Sequence, residues 1–215
     1  MKWLTNFLTS SIGRKVIMSL TGLFLIAFLK VHLIGNLQLL VNDGGESFNT
    51  YAKFMTTNPL IKFISWGLYL LILLHAVVGI MIYLKNRKAK GVKYTGKQSA
   101  DVTWASKNMA LLGTLILAFI LIHMGDFWWK MHNGVNVNLY EKVSTTFSNP
   151  IFVGFYVLAM IVLALHLWHG FKSAFQTLGL NHSKYNPIIS FIGKAYSIIV
   201  PLAYAIIPIY FYFNR

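Results

Sequence analysis

The sequence contains no cysteine. Disulfides, a thiolate-held iron–sulfur cluster and the Cys-x-x-Cys-His attachment of a covalent haem are therefore excluded for this chain. Acidic residues are scarce too, with five Asp and Glu against 19 Lys and Arg, a formal net charge of +14. Only 11% of the residues are charged, while 56% are hydrophobic and come in long runs. Runs of about 18 or more apolar residues point to transmembrane helices. Five segments qualify: 14–41, 60–84, 106–130, 150–174 and 188–213. A bilayer core needs about 20 helical residues at ~1.5 Å of rise each. The expectation is an all-α integral membrane protein, a single membrane domain over 1–215, with no soluble domain of useful size left over.

So basic a chain suggests nucleic acid, but the positions of the charges argue against that partner. Lys85, Arg87, Lys88, Lys90, Lys93, Lys97 and Lys107 crowd the second connection, opposed only by Asp101. Lys2, Arg14 and Lys15 precede the first span, and Lys172, Lys184 and Lys194 flank the fourth connection. The other two connections hold Asp43, Glu46, Lys53, Lys62, Lys130, Glu141 and Lys142. Positive charge marks the cytoplasmic side. The N-terminus is therefore expected inside and the C-terminus outside, with a basic inner face suited to anionic lipid or an acidic partner subunit. The N-terminus lacks a convincing signal peptide, because Arg14-Lys15 is followed by apolar sequence longer than an h-region. Met1–Gly13 is mildly amphipathic and fits an interfacial segment with Trp3 as anchor.

Asn42-Asp-Gly-Gly reads as a turn and Asn58-Pro59 as a helix start. Phe48, Tyr51 and Met55 fall on one face of a partly helical outer connection. Residues 85–105, with Gly91, Gly96 and Ser99, read as a flexible loop, and Asn133-Gly134 lies in the outer connection 131–149. Pro201 and Pro208 are expected to bend the last span.

Each of the first four spans carries a histidine: His32, His75, His123 and His166. An ionisable side chain within a span is a functional-site hypothesis by default. Each sits at a similar depth from its own entry point. Since alternate helices run in opposite directions, His32 and His123 share an outer level, and His75 and His166 an inner one, roughly 10 Å away by helix rise. Two stacked pairs of neutral imidazoles in a four-helix bundle are what two bis-histidine haems require. Gly79 and Gly170 each follow a histidine by four residues, on the same face. They suit a flat ligand of the ring, and equally suit plain helix packing. Lys30 and Lys130 at the outer level, and Arg14, Lys15 and Lys172 at the inner, are candidate partners for haem propionates, which would otherwise be costly buried charges. A zinc or copper site is less natural, because no carboxylate or thiolate accompanies the pairs. His169, three residues from His166, competes for the ligand role, while His132 and His182 fall in connections and receive none. A haem-free transporter or scaffold remains the reading from a different class.

Ser19-Leu-Thr-Gly-Leu-Phe-Leu, His32-Leu-Ile-Gly-Asn, His75-x-x-x-Gly79 and His166-x-x-x-Gly170-Phe-x-Ser173 together resemble the five-helix, di-haem cytochrome b subunit of succinate dehydrogenase and fumarate reductase, over essentially the whole chain. The resemblance implies a multi-pass anchor in a bacterial cytoplasmic membrane that binds a flavoprotein subunit and an iron–sulfur subunit. It implies two b haems, ligated by His32 with His123 and by His75 with His166, and a membrane quinone, menaquinone, as electron partner. By the family pattern the fourth-helix ligand stands four residues before the glycine and 13 before Gly179, which selects His166 over His169. Succinate and flavin chemistry would belong to the partners, so the chain alone is no complete enzyme. The quinone site is expected at the outer level, where Glu46, Asp126, Trp129 and His132 are the nearest polar or aromatic groups. Some relatives carry an acidic residue two positions before the fourth ligand that moves protons. Here that position is Ala164, so this route is not expected. The cytochrome b anchor of a hydrogenase or formate dehydrogenase is the nearest alternative.

Overall fold

The computed structural model describes residues 2–89, 104–133 and 138–214, and among these every regular element is helical. The loop glycines Gly91 and Gly96 with Ser99, the charges Lys90, Lys93, Lys97 and Asp101, and Gly134 lie outside the described residues. Five helical stretches are long and apolar enough to cross a membrane: Ser11–Leu40, Pro59–Lys88, Met109–Asn133, Pro150–Thr177 and Asn186–Phe213. The chain is an all-α, multi-pass membrane protein.

A short helix α1 (Lys2–Thr9) turns into α2 (Ser11–Asn36) at Ser10, whose hydroxyl accepts the Gly13 N–H at 2.9 Å. A Cβ at Gly13 would collide with the Phe7 carbonyl, so the tight turn requires glycine there. Arg14 closes the joint by donating Nη2–H to the Thr9 carbonyl at 2.7 Å. A 3-10 turn, Leu37–Leu40, ends the first span. The expected Asn-Asp-Gly-Gly turn follows, with Gly44 and Gly45 at φ +68° and +89°, a region that disfavours a Cβ. Then come α3 (Glu46–Thr57) and α4 (Pro59–Ala89). The Asn58 side chain accepts the Leu60 N–H at 3.0 Å, and Asn149 does the same for Ile151 at 2.9 Å. Asn-Pro thus starts two spans by one mechanism: asparagine satisfies an orphan N–H and proline has none to satisfy.

The third span is less uniform than its hydropathy suggests. After α5 (Trp104–Lys107), α6 (Met109–His123) passes into a π-helical turn, Met124–Trp128, before α7 (Trp129–Asn133). Helix α8 (Leu139–Phe147) occupies a connection that the sequence pattern left irregular. Helices α9 (Pro150–Thr177) and α10 (Asn186–Phe213) complete the chain. Pro201 and Pro208 both lie inside α10, are buried, and do not interrupt it.

Helices α2, α4, α6 and α9 form a ring in which each packs on the next, α2 closing against α9. The diagonals, α2 with α6 and α4 with α9, share no extended contact. Helix α10 lies outside this ring, in the groove between α9 and α2. It is held by hydroxyls as well as by packing: Tyr196 donates to the Ile26 carbonyl at 2.5 Å and Tyr204 to the Leu29 carbonyl at 2.7 Å. Phe171 fits against Gly193, where a Cβ would come within 2.7 Å of its ring. One buried cluster (Met160, Leu163, Leu167 and Ala205) joins α9 to α10, and a second gathers Leu39, Phe48, Val143, Phe147, Tyr156, Ile207 and Phe211 at the end opposite the N-terminus. Large apolar side chains such as Phe63, Trp66, Ile151 and Phe191 point outward, which suits a lipid surround.

Interhelical hydrogen bonds in membranes are worth about 0.6 kcal/mol on average, with a maximum near 1.7. Tyr196→Phe and Tyr204→Phe are each expected to lower stability by about 0.5–1.5 kcal/mol, read as the midpoint of reversible unfolding in mixed detergent. Each keeps the ring packed, so a larger loss would contradict the assignment of the effect to the hydroxyl. At the Gly44–Gly45 turn, the Ser47 hydroxyl and N–H and the Gly45 N–H hold the half-buried Asp43 carboxyl below its ordinary pKa. A depressed carboxyl stabilises the fold above its unfolded value of about 3.9, and that contribution is lost as pH falls through the folded value. Amide exchange at the start of α3, corrected for intrinsic rates, should therefore accelerate below about pH 4, and Asp43→Asn should remove that dependence.

Candidate functional site

The four span histidines converge in the interior of the ring, one pair across each diagonal. His32 of α2 and His123 of α6 have ring centroids 6.0 Å apart, their planes at 85°. His75 of α4 and His166 of α9 stand 6.4 Å apart, at 66°. Three helices measure the distance between the two levels independently. Gly22, ten residues before His32, has its Cβ position 3.3 Å from the His75 ring. Gly113, ten before His123, stands 3.8 Å from the His166 ring in the same sense. Tyr156, ten before His166, places its hydroxyl 3.3 Å from His123 Nδ1. Ten residues of helix rise about 15 Å. The separation is therefore larger than the roughly 10 Å expected from the approximate span ends.

The two levels have different surroundings. On the side away from the N-terminus, Phe28 and Phe119 stack on the histidines one turn along their own helices, at 5.3 and 5.6 Å. Tyr204 and Phe127 close the flanks. On the N-terminal side the walls are smaller and more polar. The Thr21 hydroxyl lies 3.0 Å from His75 Nδ1, and Gly22 and Gly113 lie against the rings. His166 Nδ1 is buried with no hydrogen-bond partner among the described residues. The ring that meets His75 is that of His166, not of His169, which lies three residues on and is half-buried.

The other sequence candidates scatter. The Cβ position of Gly79 meets the flexible end of Met18 at 3.3 Å, and that of Gly170 meets nothing, so the glycines in contact with the rings are Gly22 and Gly113 instead. Lys30 and Lys172 are exposed, and Lys30, two residues before His32, lies on the other side of α2. Arg14 caps α1, and Lys15 lines a shallow cavity of about 310 Å³ with Ile12, Ser173, Gln176 and Thr177. Lys130 is bound to Asp126 at 3.0 Å, and Lys142 to the same carboxylate at 2.8 Å. Glu46 lines a cavity of about 580 Å³ with Gln38, Asp43, Tyr51 and Phe54. Asp126, Trp129 and His132 do not line it, and the His132 ring stacks on Trp128 at 4.4 Å. The four residues expected near a quinone therefore occupy more than one place. Thr21 and Gly22 lie in the Ser19–Leu25 run that carried the resemblance but were given no role there, and neither were Gly113, Tyr156 and Tyr204. Phe-x-x-x-His in both α2 and α6 was a readable signal for the aromatic walls.

Over 183 residues, 81% of this chain and 85% of the relative, the sequence is 25% identical to the succinate dehydrogenase cytochrome b558 subunit of Bacillus subtilis (strain 168). The likeness is to a cytochrome b subunit. No protein-family profile matches the chain, and no solved structure matches it. Among the described residues no three His, Cys, Asp or Glu side chains cluster as an ordinary metal site would need. The histidines come as isolated pairs.

Asp126 and Lys142 tie the π-helical turn to α8, both mostly out of solvent at 16% and 23% side-chain exposure. Removing one partner leaves the other half-desolvated. Asp126→Ala is expected to destabilise by about 1–3 kcal/mol, less than a fully buried pair would cost. Asp126→Ala combined with Lys142→Met should recover part of that loss, as a double-mutant cycle in detergent unfolding reads directly.

Proposed function

We propose that the chain is the membrane-anchor cytochrome b subunit of a succinate dehydrogenase or fumarate reductase, carrying electrons between a partner iron–sulfur subunit and a membrane quinone. The observation that carries this reading is the pair of imidazoles across each diagonal of the ring, at two levels about 15 Å apart. Two imidazoles that face one metal from opposite sides, each nitrogen at about 2 Å, have ring centroids roughly 6 Å apart. The pairs observed, at 6.0 and 6.4 Å, fit that donor set. So does His166, whose buried Nδ1 has no hydrogen-bond partner among the described residues. The likeness to a cytochrome b subunit supports the same assignment.

In this reading His75 and His166 hold a b haem near the N-terminal side, and His32 and His123 hold one near the opposite side. The haems supply one-electron transfer when bound. The chain's own part is to fix the rings, to exclude water with the aromatic walls, and to keep the imidazoles neutral in an apolar interior. Of the cations singled out by sequence, Lys15 and Lys172 are available to propionates at the inner level. Arg14 is engaged by the Thr9 and Ser10 carbonyls, Lys130 is bound to Asp126, and Lys30 faces away from His32. The N-terminal side is cytoplasmic by the charge asymmetry, and receives the flavoprotein and iron–sulfur subunits of a bacterial inner-membrane complex. The quinone, menaquinone, is assigned to the opposite side. There Glu46 has the stronger case of the four candidates, since it lines a cavity beside Tyr51 and Phe54, whereas Asp126 is occupied by two lysines.

The dithionite-reduced spectrum of the purified chain tests the proposal, with b-type bands expected and about two haems per chain by pyridine haemochrome. A chain without haem would overturn it. His166→Ala should lose one haem and His169→Ala neither. Co-purification with a flavin-containing, succinate-oxidising assembly separates this anchor from that of another quinone-linked dehydrogenase.

A further inference from the structure

The Thr21 hydroxyl stands within 2.7 Å of the Ile17 carbonyl and 3.1 Å of the Met18 carbonyl, and 3.0 Å from His75 Nδ1. It has one proton. Two carbonyl oxygens at these distances can only accept, so the proton goes to them, and the hydroxyl oxygen has only acceptor capacity left for His75. We infer that Thr21 is a positioning residue for His75: it holds the ring as the Nδ1–H tautomer and leaves the Nε2 lone pair free toward the interior of the ring of helices. Thr21 is buried, 4% exposed, so no water competes for the bond. Gly22 beside it permits the close approach, since a Cβ there would lie 3.3 Å from His75 Cε1. The device is one-sided, because His166 opposite has a buried Nδ1 with no partner among the described residues. One imidazole of the pair is fixed by the protein and the other is not.

The consequence for ligation rests on the haem reading, whereas the tautomer does not. A donated Nδ1–H makes an imidazole a stronger ligand through Nε2 and fixes its plane. The Met18 carbonyl also lies within hydrogen-bonding reach of the His75 ring, so removing the Thr21 acceptor weakens the ligand in part and favours the reduced form. Thr21→Val, which keeps the shape, should raise the midpoint potential of one haem by up to about tenfold in the redox equilibrium, about 59 mV for a one-electron couple. It should also alter that haem's low-temperature EPR signal and leave the second haem unchanged. Thr21→Ser should restore both values. Thr21→Val with wild-type potentials and EPR signals would overturn the proposal, as would a Thr21→Ser variant that behaves like Thr21→Val.

A measurement on the unsubstituted chain guards against a variant that does not fold. In the haem-free full chain in detergent micelles, labelled with 15N-histidine, two-bond 1H–15N correlations should show His75 with a protonated Nδ1 and an unprotonated Nε2. A protonated Nε2 would overturn the inference. If the wild-type chain binds no haem yet shows the Nδ1–H form, the functional proposal fails and the role of Thr21 stands.

Discussion

The cost of an imidazole in hydrocarbon organises this molecule. A histidine within a span must stay neutral and find a partner, and isolated polar groups there are expensive. Four such residues are tolerated because the ring of α2, α4, α6 and α9 turns each of them inward, toward another histidine rather than toward lipid. The diagonal arrangement follows from geometry. Neighbouring helices in the ring touch directly and leave no room for two rings between them, whereas opposite helices face each other across the interior. The antiparallel course of the chain then sorts the four histidines into two levels, because consecutive spans enter from opposite sides.

The fifth span matters through what it does for the first. Tyr196 and Tyr204 bond carbonyls of α2 that already serve the helix, using their second lone pairs, and Tyr204 also stands 5.9 Å from the His32 ring. Helix α10 is thereby fixed in register against α2, which carries both His32 and the Thr21–Gly22 step. Helix α9, packed along the other side of α10, carries His166 and Tyr156. One buttress therefore supports elements of both histidine levels, although it contributes no histidine itself.

Much of this was readable in the residues. Five apolar runs fixed the number of spans, Asn58-Pro59 marked a start, and equal depth from each entry sorted His32 with His123 and His75 with His166. What the pattern could not supply was distance and contact. Hydropathy places span ends only to within a few residues, and each residue of error moves a histidine by about 1.5 Å along its helix, so the expected gap between levels was too short. The π-helical turn after His123 leaves no trace in periodicity, since its five residues, Met-Gly-Asp-Phe-Trp, suit an α-helix or a turn equally. Thr21 stands in a run that carries the family resemblance, yet nothing in that run gives it a role. Its role arises only when α4 brings a ring from 54 positions away to its hydroxyl. Gly79 and Gly170 drew attention by spacing within their own helices, yet a ring is contacted by residues of neighbouring helices, and those are Gly22 and Gly113.

The hydroxyls at the two levels differ in kind. Thr21 is held by two backbone carbonyls of its own helix, so its direction toward His75 is imposed by α2 and cannot reverse without abandoning those bonds. Tyr156 has no such carbonyl pair among the described residues, and its hydroxyl meets His123 Nδ1 at the longer distance of 3.3 Å. A phenol can donate to or accept from an imidazole nitrogen, so this contact does not dictate the tautomer of His123. The level near the N-terminus thus has one ring whose protonation pattern is written into a helix. The opposite level has rings fixed chiefly by aromatic stacking, with the Asp126, Lys130 and Lys142 cluster close by. Stacking constrains a ring's plane and leaves its protons free. Within one ring of four helices, the sequence therefore builds two imidazole pairs of matched spacing and unequal rigidity.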